Sequence, residues 1–341
     1  RLLRAIRKAF PDKLVIGGGM HSYDAADEIA EQGFDLTFFG EAEKSLTEFL
    51  ELTRVQNGNL DRNLMKSPSF IRSLDQIPGI LYHKDDQIST TGPYKIIDNL
   101  DELPFLNYEL LNLDDFIFLE KDLSRTDVVN FVSFQRGCPY ECTFCKADFM
   151  GGELRSNSAK YMVEQIKALQ ERYGITQFRL ADSNFAIPKK RMNEFCDLMI
   201  SSGLGEKVRM WIQFSSTIPM SDKELSRLRM AGVRMISMGV ERFDDDMRKA
   251  IEKPGTRKQV MAAIKRMKKN DIKAHISILI NFPTDDHASL SREKEYLLDA
   301  LDYTEYYGVH YLVPVPGTPI YDDFKASDRW SDRWWSTSLT G

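Results

Sequence analysis

The feature that most limits the possible fold is a regular alternation of strand-like and helix-like segments from residue 128 onward. The strand-like segments are short and apolar, and the segments between them place apolar residues at helical spacing. In residues 158–173, for example, Met162 and Ile166 lie on one face of a predicted helix. This alternation predicts a parallel sheet, and its six units approach the plan of an α/β barrel. The predicted strands are 128–134, 176–181, 208–214, 234–240, 273–280 and 308–313.

Three cysteines occupy one short stretch directly after the first of these strands. Cys138, Cys142 and Cys145 have the spacing C-x3-C-x2-C. Pro139 and Glu141 lie between them and indicate a loop, not an apolar core segment. Three thiolates on one loop can bind three irons of a cubane cluster and leave the fourth iron without a protein ligand. An open metal position is typical of a catalytic site, whereas a structural site is closed.

Two other interpretations of these cysteines stay open at this point. A structural zinc site needs four ligands, but the fourth cysteine, Cys196, and the five histidines are distant in sequence. Simple apolar packing conflicts with the polar residues that separate the cysteines. Cys196 itself is predicted to pack in a core, because Phe195 and Met199 share its helical segment. We therefore favour an iron–sulfur loop, with zinc binding and packing as alternatives.

The first part of the chain shows a second strand–helix alternation. Residues 14–16 predict a strand that runs into three consecutive glycines, and residues 36–39 predict another strand. This pattern favours the second half of a doubly wound domain with a parallel sheet. A glycine cluster after a strand lets the backbone approach a ligand closely. The predicted division of the chain is 1–105 for this domain with its linker, 106–126 for a further linker, 127–325 for the barrel, and 326–341 for the start of another element.

Charge and composition exclude several classes of protein. The chain has 46 Lys and Arg against 51 Asp and Glu, so its net charge of −5 gives no bulk attraction for nucleic acid or an anionic membrane. Four cysteines in 341 residues exclude a disulfide scaffold, and no apolar run is long enough to span a bilayer. We expect neither nucleic acid nor membrane as a partner, and we expect a cytoplasmic protein.

The cysteine stretch resembles the signature of the radical SAM (S-adenosylmethionine) superfamily, C-x3-C-x-aromatic-C, and the similarity extends over about residues 127–325. The resemblance implies that the three cysteines bind a [4Fe–4S] cluster and that Phe144 lies against the adenine of S-adenosylmethionine. In a parallel α/β barrel, polar residues just past the strands point into the mouth where the ligand binds. Four residues are expected to contact S-adenosylmethionine on this ground, namely Asp182, Gln213, Ser215 and Glu241.

Other segments after the predicted strands are also similar to landmarks of that superfamily. Residues 238–242 resemble its Gly-Val-Glu-Ser segment, with Arg242 in place of Ser. Residues 280–283 resemble its Gly-x-Pro turn, with Asn281 where Gly is commoner. Residues 180–185 are similar to the strand end that faces the methionine part of the cofactor, and residues 316–319 form a Pro-Gly-Thr-Pro segment.

The N-terminal segment is similar to the second half of the cobalamin-binding domain that precedes many radical SAM enzymes. Residues 15–21, 38–43 and 99–104 carry this similarity. It implies that Gly17, Gly18 and Gly19 lie along the nucleotide tail of cobalamin. The cobalt-ligating pattern Asp-x-His-x-x-Gly is missing from the sequence, and because the chain begins with Arg1 we expect that half of the domain upstream.

Together these resemblances imply an α/β protein in which a partial (β/α)6 TIM-like radical SAM barrel follows the back half of a doubly wound, Rossmann-like domain. They imply an enzyme that forms a 5′-deoxyadenosyl radical and transfers a methyl group from cobalamin to an unactivated carbon. The expected partners are a small-molecule or peptide substrate and an external one-electron reductant such as flavodoxin or ferredoxin. A cyclase or rearranging enzyme of the same architecture is one alternative, and a zinc-binding module without activity is another.

Overall fold

The structure is a computed structural model that describes residues 2–19, 21–24, 29, 31–54, 60–84, 87–110, 129–146 and 153–326. These residues divide into two compact units, one ending at Asp98 and the other beginning at Asn99. The boundary between the units lies before residue 105, where the sequence predicted the end of the first domain. Asp101 already belongs to the second unit, because its side chain accepts hydrogen bonds from the Ser158 backbone amide at 2.9 Å and from the Asn157 side chain at 3.0 Å. Much of the predicted linker (111–126) and of the predicted C-terminal element (327–341) lies outside the described residues.

The first unit contains a small mixed sheet. Its strands are β1 (Ile16–Gly17), β2 (Leu36–Phe38), β3 (Ile80–Lys84) and β4 (Gln87–Thr90). They are adjacent in this order, with β1 and β2 parallel as predicted and the other two pairings antiparallel. The helices of this unit are α1 (Leu2–Ala9), α2 (His21–Asp24), α3 (Glu43–Arg54) and α4 (Pro68–Leu74). The Phe49 side chain of α3 is completely buried and packs edge-on against Phe38, with ring centroids 5.7 Å apart, which holds α3 on the sheet.

The second unit is built on a six-stranded sheet and a two-stranded ribbon. The strands are β5 (Val129–Val132), β6 (Gln135–Arg136), β7 (Arg155–Ser156), β8 (Gln177–Leu180), β9 (Arg209–Gln213), β10 (Val233–Glu241), β11 (Lys273–Ile280) and β12 (Tyr306–Tyr311). In the large sheet the order is β5-β8-β9-β10-β11-β12, and every pairing is parallel. Neighbours in the sheet therefore follow the order of the chain, which is the plan of a barrel wound in one direction. The six strands predicted from the sequence are confirmed.

Helices alternate with the strands of this unit. They are α5 (Ala159–Tyr173), α6 (Lys189–Ser201), α7 (Leu204–Lys207), α8 (Asp222–Met230), α9 (Asp245–Ala250), α10 (Arg257–Lys269), α11 (His287–Leu301) and α12 (Pro319–Ala326). The predicted capping box of Ser221 and Glu224 begins α8, and Gly174, at φ 68°, ends α5. Helix side chains such as Met162 and Leu225 pack with alternate strand residues in one buried apolar core.

No helix of the described residues combines the length and the apolar character that crossing a membrane requires.

Candidate functional site

The three predicted cysteine ligands lie on the loop that follows β6. The ribbon of β6 and β7, whose strands are antiparallel, closes this loop at its base. Cys142 is buried, Cys138 is half-buried and Cys145 is exposed, and none of them is in a disulfide. Of the loop itself, residues 147–152 lie outside the described part of the chain. The thiols therefore line one loop at the edge of the sheet where β5 ends.

Backbone hydrogen bonds from distant segments hold the cysteine loop. The Thr143 amide donates to Ile251 O at 3.2 Å, and Thr143 O accepts from the Ile320 amide at 3.1 Å. Lys146 Nζ donates to Gly317 O at 3.1 Å. The Pro-Gly-Thr-Pro segment singled out in the sequence thus contacts the loop directly, and its position explains why it belongs to the site.

Asn184 connects the cysteine loop to two neighbouring strands. Its Nδ2 donates to Cys138 Sγ at 3.2 Å, and its Oδ1 accepts from the Ser215 backbone amide at 2.9 Å. The Gln135 side chain bonds both the Asn184 amide, at 3.1 Å, and the Asn184 carbonyl, at 3.0 Å. The backbone amide of Ser215 can only donate, so the side-chain atom of Asn184 that faces it must be the oxygen. The NH₂ group of Asn184 therefore faces the sulfur of Cys138. The segment around Asn184 resembles the superfamily in sequence, but no local pattern distinguishes Asn184 itself.

Lys253 lies among three of the predicted site residues. Its Nζ is 3.4 Å from Glu241 Oε1 and 6.0 Å from the centre of the Phe144 ring. Burial raises the pKa of the Cys142 thiol, and the positive charge of Lys253 opposes that rise. A nearby cation favours the thiolate, which is the form that binds metal. Lys253 follows a helix in a turn and has no sequence signal that would have identified it.

The ends of β10 and β11 have an unusual backbone that shapes this part of the site. Glu241 has φ 62° and Asn281 has φ 72°, both in the left-handed region. Gly adopts the left-handed region without strain and Asn tolerates it. This explains why the superfamily more often has Gly at the position that Asn281 occupies in this chain. A side chain at Gly239 would collide with Glu241 Oε1 and lie 3.2 Å from Lys253 Nζ. Glycine at this position thus leaves room for the ion pair of Glu241 and Lys253 in its present arrangement.

The predicted aromatic residue of the cysteine loop lies against the turn after β11. Phe144 is half-buried and packs edge-on against Phe282, with ring centroids 6.0 Å apart. Its contact with adenine stays a prediction.

Asp182 has partners within the protein that differ from the expected cofactor contact. It is completely buried, and its Oδ1 accepts from the Phe134 amide at 2.6 Å while its Oδ2 pairs with Arg191 Nη2 at 3.1 Å. Burial raises the pKa of Asp182, and the Arg191 charge and the Phe134 amide oppose that rise. Both carboxylate oxygens are thus used to hold the segment just before the cysteine loop. Asp182 thus positions this segment, and its contact with S-adenosylmethionine stays a prediction.

Gln213 and Ser215 flank the end of β9, as the sequence predicts. The Gln213 side chain is exposed, and the Gln213 carbonyl accepts from the Phe185 amide at 2.9 Å. The buried Ser215 hydroxyl lies 2.9 Å from Thr217 Oγ1. Their contact with a cofactor stays a prediction, and the structure adds that the Ser215 backbone orients Asn184.

The three N-terminal glycines differ in their surroundings. A Cβ at Gly17 would lie 3.0 Å from Thr37 Oγ1, so glycine is needed at that position for packing. Gly18 and Gly19 are exposed, Gly19 has φ 104°, and a Cβ at Gly19 would have no neighbour within 4 Å. Their open backbone fits close approach of a ligand, and the cobalamin contact stays a prediction.

The donor set fits a cubane cluster in its chemistry. Three soft thiols lie on one loop, which is the ligand type that iron–sulfur clusters need. The N–H donor to one sulfur and the cation near another are groups that adjust the reduction potential of such a cluster. Within the described residues, no three His, Cys, Asp or Glu side chains converge on a position for a single metal ion. A cubane needs a different arrangement, because each thiolate binds its own iron. Cys196 lies apart from the loop, in the core of α6, where burial raises its pKa to about 12.

Comparison with known proteins agrees with this geometry. Residues 132–296 match the sequence profile described as the radical SAM superfamily. This part of the chain belongs to the radical SAM superfamily. The matched region begins at the last residue of β5 and includes all three cysteines, so the family predicted from the cysteine spacing is confirmed.

Two curated relatives align with most of the chain, one over about three quarters of it and the other over nearly all of it. An uncharacterized methyltransferase of Pyrococcus horikoshii is 26% identical over 266 residues, covering 76% of this chain and 55% of the relative. An anaerobic magnesium-protoporphyrin IX monomethyl ester cyclase of Cereibacter sphaeroides is 24% identical over 332 residues, covering 95% of this chain and 50% of the relative. The chain thus spans about half the length of the curated relatives it matches.

A solved structure shares the fold. The radical S-adenosylmethionine methyltransferase TsrM of Kitasatospora setae, solved with cobalamin and a [4Fe–4S] cluster, superposes with a TM-score of 0.67 at 16% identity. The match covers 90% of this chain and 56% of that protein. Because the match extends beyond the radical SAM domain, it confirms the predicted fold class, a radical SAM barrel preceded by a Rossmann-like unit.

Proposed function

We propose that the chain belongs to a radical SAM enzyme that transfers a methyl group to an unactivated carbon with the help of cobalamin. The observation that carries this proposal is the cysteine loop at the strand ends, with Asn184 donating to Cys138 Sγ. In a parallel α/β barrel that edge of the sheet is the place where ligands react.

In this proposal Cys138, Cys142 and Cys145 hold a [4Fe–4S] cluster. When bound, the cluster would supply the electron that cleaves S-adenosylmethionine to a 5′-deoxyadenosyl radical. The protein's own residues orient and shield the reactants. Phe144 of the loop packs with Phe282 in an apolar pair, and Lys253 pairs with Glu241 while its positive charge acts on Cys142. The electron needs an external one-electron donor of the flavodoxin or ferredoxin class, and a cytoplasmic location is part of the proposal.

Cobalamin is proposed for the first unit. Gly18 and Gly19 present open backbone directly after β1, which suits contact with an extended ligand tail. Cobalamin would supply the transferable methyl group, and this is supported by TsrM, a methyltransferase of the same fold that was solved with cobalamin bound. The name of the Pyrococcus relative also supports methyl transfer.

A second candidate function is radical cyclisation without methyl transfer. The Cereibacter relative is named as a cyclase, and its similarity covers 95% of this chain. The substrate in either case is proposed to be a small molecule or a peptide.

The experiment that tests the proposal starts from anaerobically purified and reconstituted protein. About four irons with matching sulfide per chain, and formation of 5′-deoxyadenosine from S-adenosylmethionine after reduction, are expected. One zinc per chain and a colourless protein would instead establish the zinc-binding module. Addition of methylcobalamin separates the two radical functions, because a methylated product supports methyl transfer and deoxyadenosine without it supports cyclisation.

Asn184 provides a specific test of how the protein adjusts the reduction potential of the proposed cluster. Replacing Asn184 by alanine removes the N–H donor to Cys138 Sγ, so the thiolate carries more negative charge and the reduced cluster is less stable. The midpoint potential is expected to fall by about 50 mV, which corresponds to roughly 1 kcal/mol of difference in hydrogen-bond strength. The measurement is a redox titration followed by electron paramagnetic resonance.

The matched control is Asn193→Ala, an asparagine on α6 whose side chain bonds Arg227 and not a cysteine. Asn184→Asp keeps an acceptor for Ser215 but adds a negative charge, so its potential should fall further than that of Asn184→Ala. An unchanged potential in a fully iron-loaded Asn184→Ala protein would contradict the assigned role.

A further inference from the structure

The inner face of the large sheet, which points away from the helices, is unusually polar for the interior of an α/β barrel. Alternate strand residues such as Ile212, Ile236 and Ile276 are buried in the helix-covered core. The residues between them point to the other face, because side chains alternate along a strand. Cα pairing across four strands places Gln213, Ser237, His275 and Tyr306 in one row of this face. Branched apolar side chains usually fill such an interior.

A hydrogen-bonded chain of side chains crosses this face. Trp211 Nε1 donates to Ser237 Oγ at 2.7 Å, and Ser237 Oγ lies 2.8 Å from His275 Nδ1. Because the Ser237 oxygen receives the indole N–H, its own hydrogen is available for His275 Nδ1. In the tautomer that accepts this hydrogen at Nδ1, the imidazole proton lies on Nε2, which can donate to a ligand.

The same face carries positive charge. The Arg179 guanidinium lies 4.2 Å from the centre of the Trp211 ring. Burial lowers the pKa of His275, and the positive charges of Arg179 and His310 lower it further. Among the described strand residues of this sheet, Glu241 is the single acidic one, and it pairs with Lys253 at the end of β10.

We propose that Arg179, Trp211, Ser237, His275 and His310 form a binding subsite for an anionic group of the substrate, a carboxylate or a phosphate. This inference rests on the proposed function, because it assigns the substrate class of that site. Arg179 supplies charge, His275 Nε2 supplies a directed donor, and the Trp211 ring supplies a flat apolar surface for the part of the substrate next to the anion.

The test is a titration followed by nuclear magnetic resonance of the histidine rings. The chain has five histidines, and the His275→Gln variant identifies the His275 signal. Sodium phosphate and sodium acetate are added separately at constant ionic strength, with sodium chloride as the reference. We expect a saturable shift of the His275 signal with phosphate or acetate, and the anion that binds more tightly identifies the group. The signal of His287, which is exposed on α11, should not saturate.

Variants decide whether the shift reports the proposed subsite. Arg179→Gln should weaken anion binding by about tenfold or more, as expected for a lost hydrogen bond between charged groups. Arg179→Lys keeps the charge and should retain saturable binding. Arg172→Gln is the matched control, because Arg172 lies exposed on α5.

Three results would each overturn the proposal: no shift, an equal shift with chloride, or an unchanged affinity in Arg179→Gln. The titration needs neither cluster nor reductant, so its failure is distinguishable from failure of the radical chemistry.

Discussion

Replacing Cys142 by alanine is expected to prevent iron–sulfur loading and to lower 5′-deoxyadenosine formation by more than about 100-fold. Loss of a residue that only supports a metal ligand costs about 10- to 100-fold in metal affinity, and loss of a ligand costs more. Cys142 is the most buried of the three thiols, and the positive charge of Lys253 opposes the rise that burial causes in its pKa. Iron and sulfide content, together with a chromatographic assay of deoxyadenosine, measure the effect.

Cys196→Ala is the matched control for this experiment. Cys196 is also buried, but it packs among apolar residues of α6. The control protein should retain iron and sulfide at the level of the unmodified chain. Full iron loading of Cys142→Ala, or equal iron loss in both variants, would contradict the assignment of the cysteine loop.

Asp182→Asn is expected to lower the free energy of unfolding by about 3–5 kcal/mol. The substitution keeps the shape of the side chain but leaves the buried charge of Arg191 without an anionic partner, which is costly in a water-free environment. Arg191 also donates to Phe134 O at 3.3 Å and to Phe185 O at 3.1 Å, so the segments on both sides of β8 lose an anchor. Urea unfolding of the cluster-free protein measures this change without any cofactor.

Lys190→Met provides the comparison with an exposed ion pair. Lys190 lies 3.9 Å from Glu194 on the surface of α6, and such pairs contribute about 0.5 kcal/mol or less. If Asp182→Asn leaves the free energy of unfolding unchanged and weakens binding of S-adenosylmethionine, the result would contradict the positioning role. It would instead support the contact between Asp182 and S-adenosylmethionine that the sequence predicts.

Local patterns in the sequence were sufficient for the elements and for the metal loop. The apolar segments and the capping residues depend on neighbours within a few positions, so β9, α8 and the end of α5 lie where the pattern predicts them. The cysteine spacing identified the family because the three cysteines lie within eight positions of a single loop, a pattern that is complete in the local sequence.

Roles that depend on distant partners were not visible in the sequence. Asp182 and Glu241 each follow a strand and looked alike in the sequence. The fold gives Asp182 a buried partner in Arg191, whereas it places Glu241 beside Lys253 near the cysteine loop.

The sequence by itself determined the class of fold, the order of its elements and the candidate ligands of the cluster, because these depend on periodicity and short spacing. The tertiary structure alone decided that Asn184 contacts a cysteine sulfur and that Trp211, Ser237 and His275 form one chain across three strands. These contacts join residues 26 to 46 positions apart, so they form only when the fold brings neighbouring strands and the segments that follow them together.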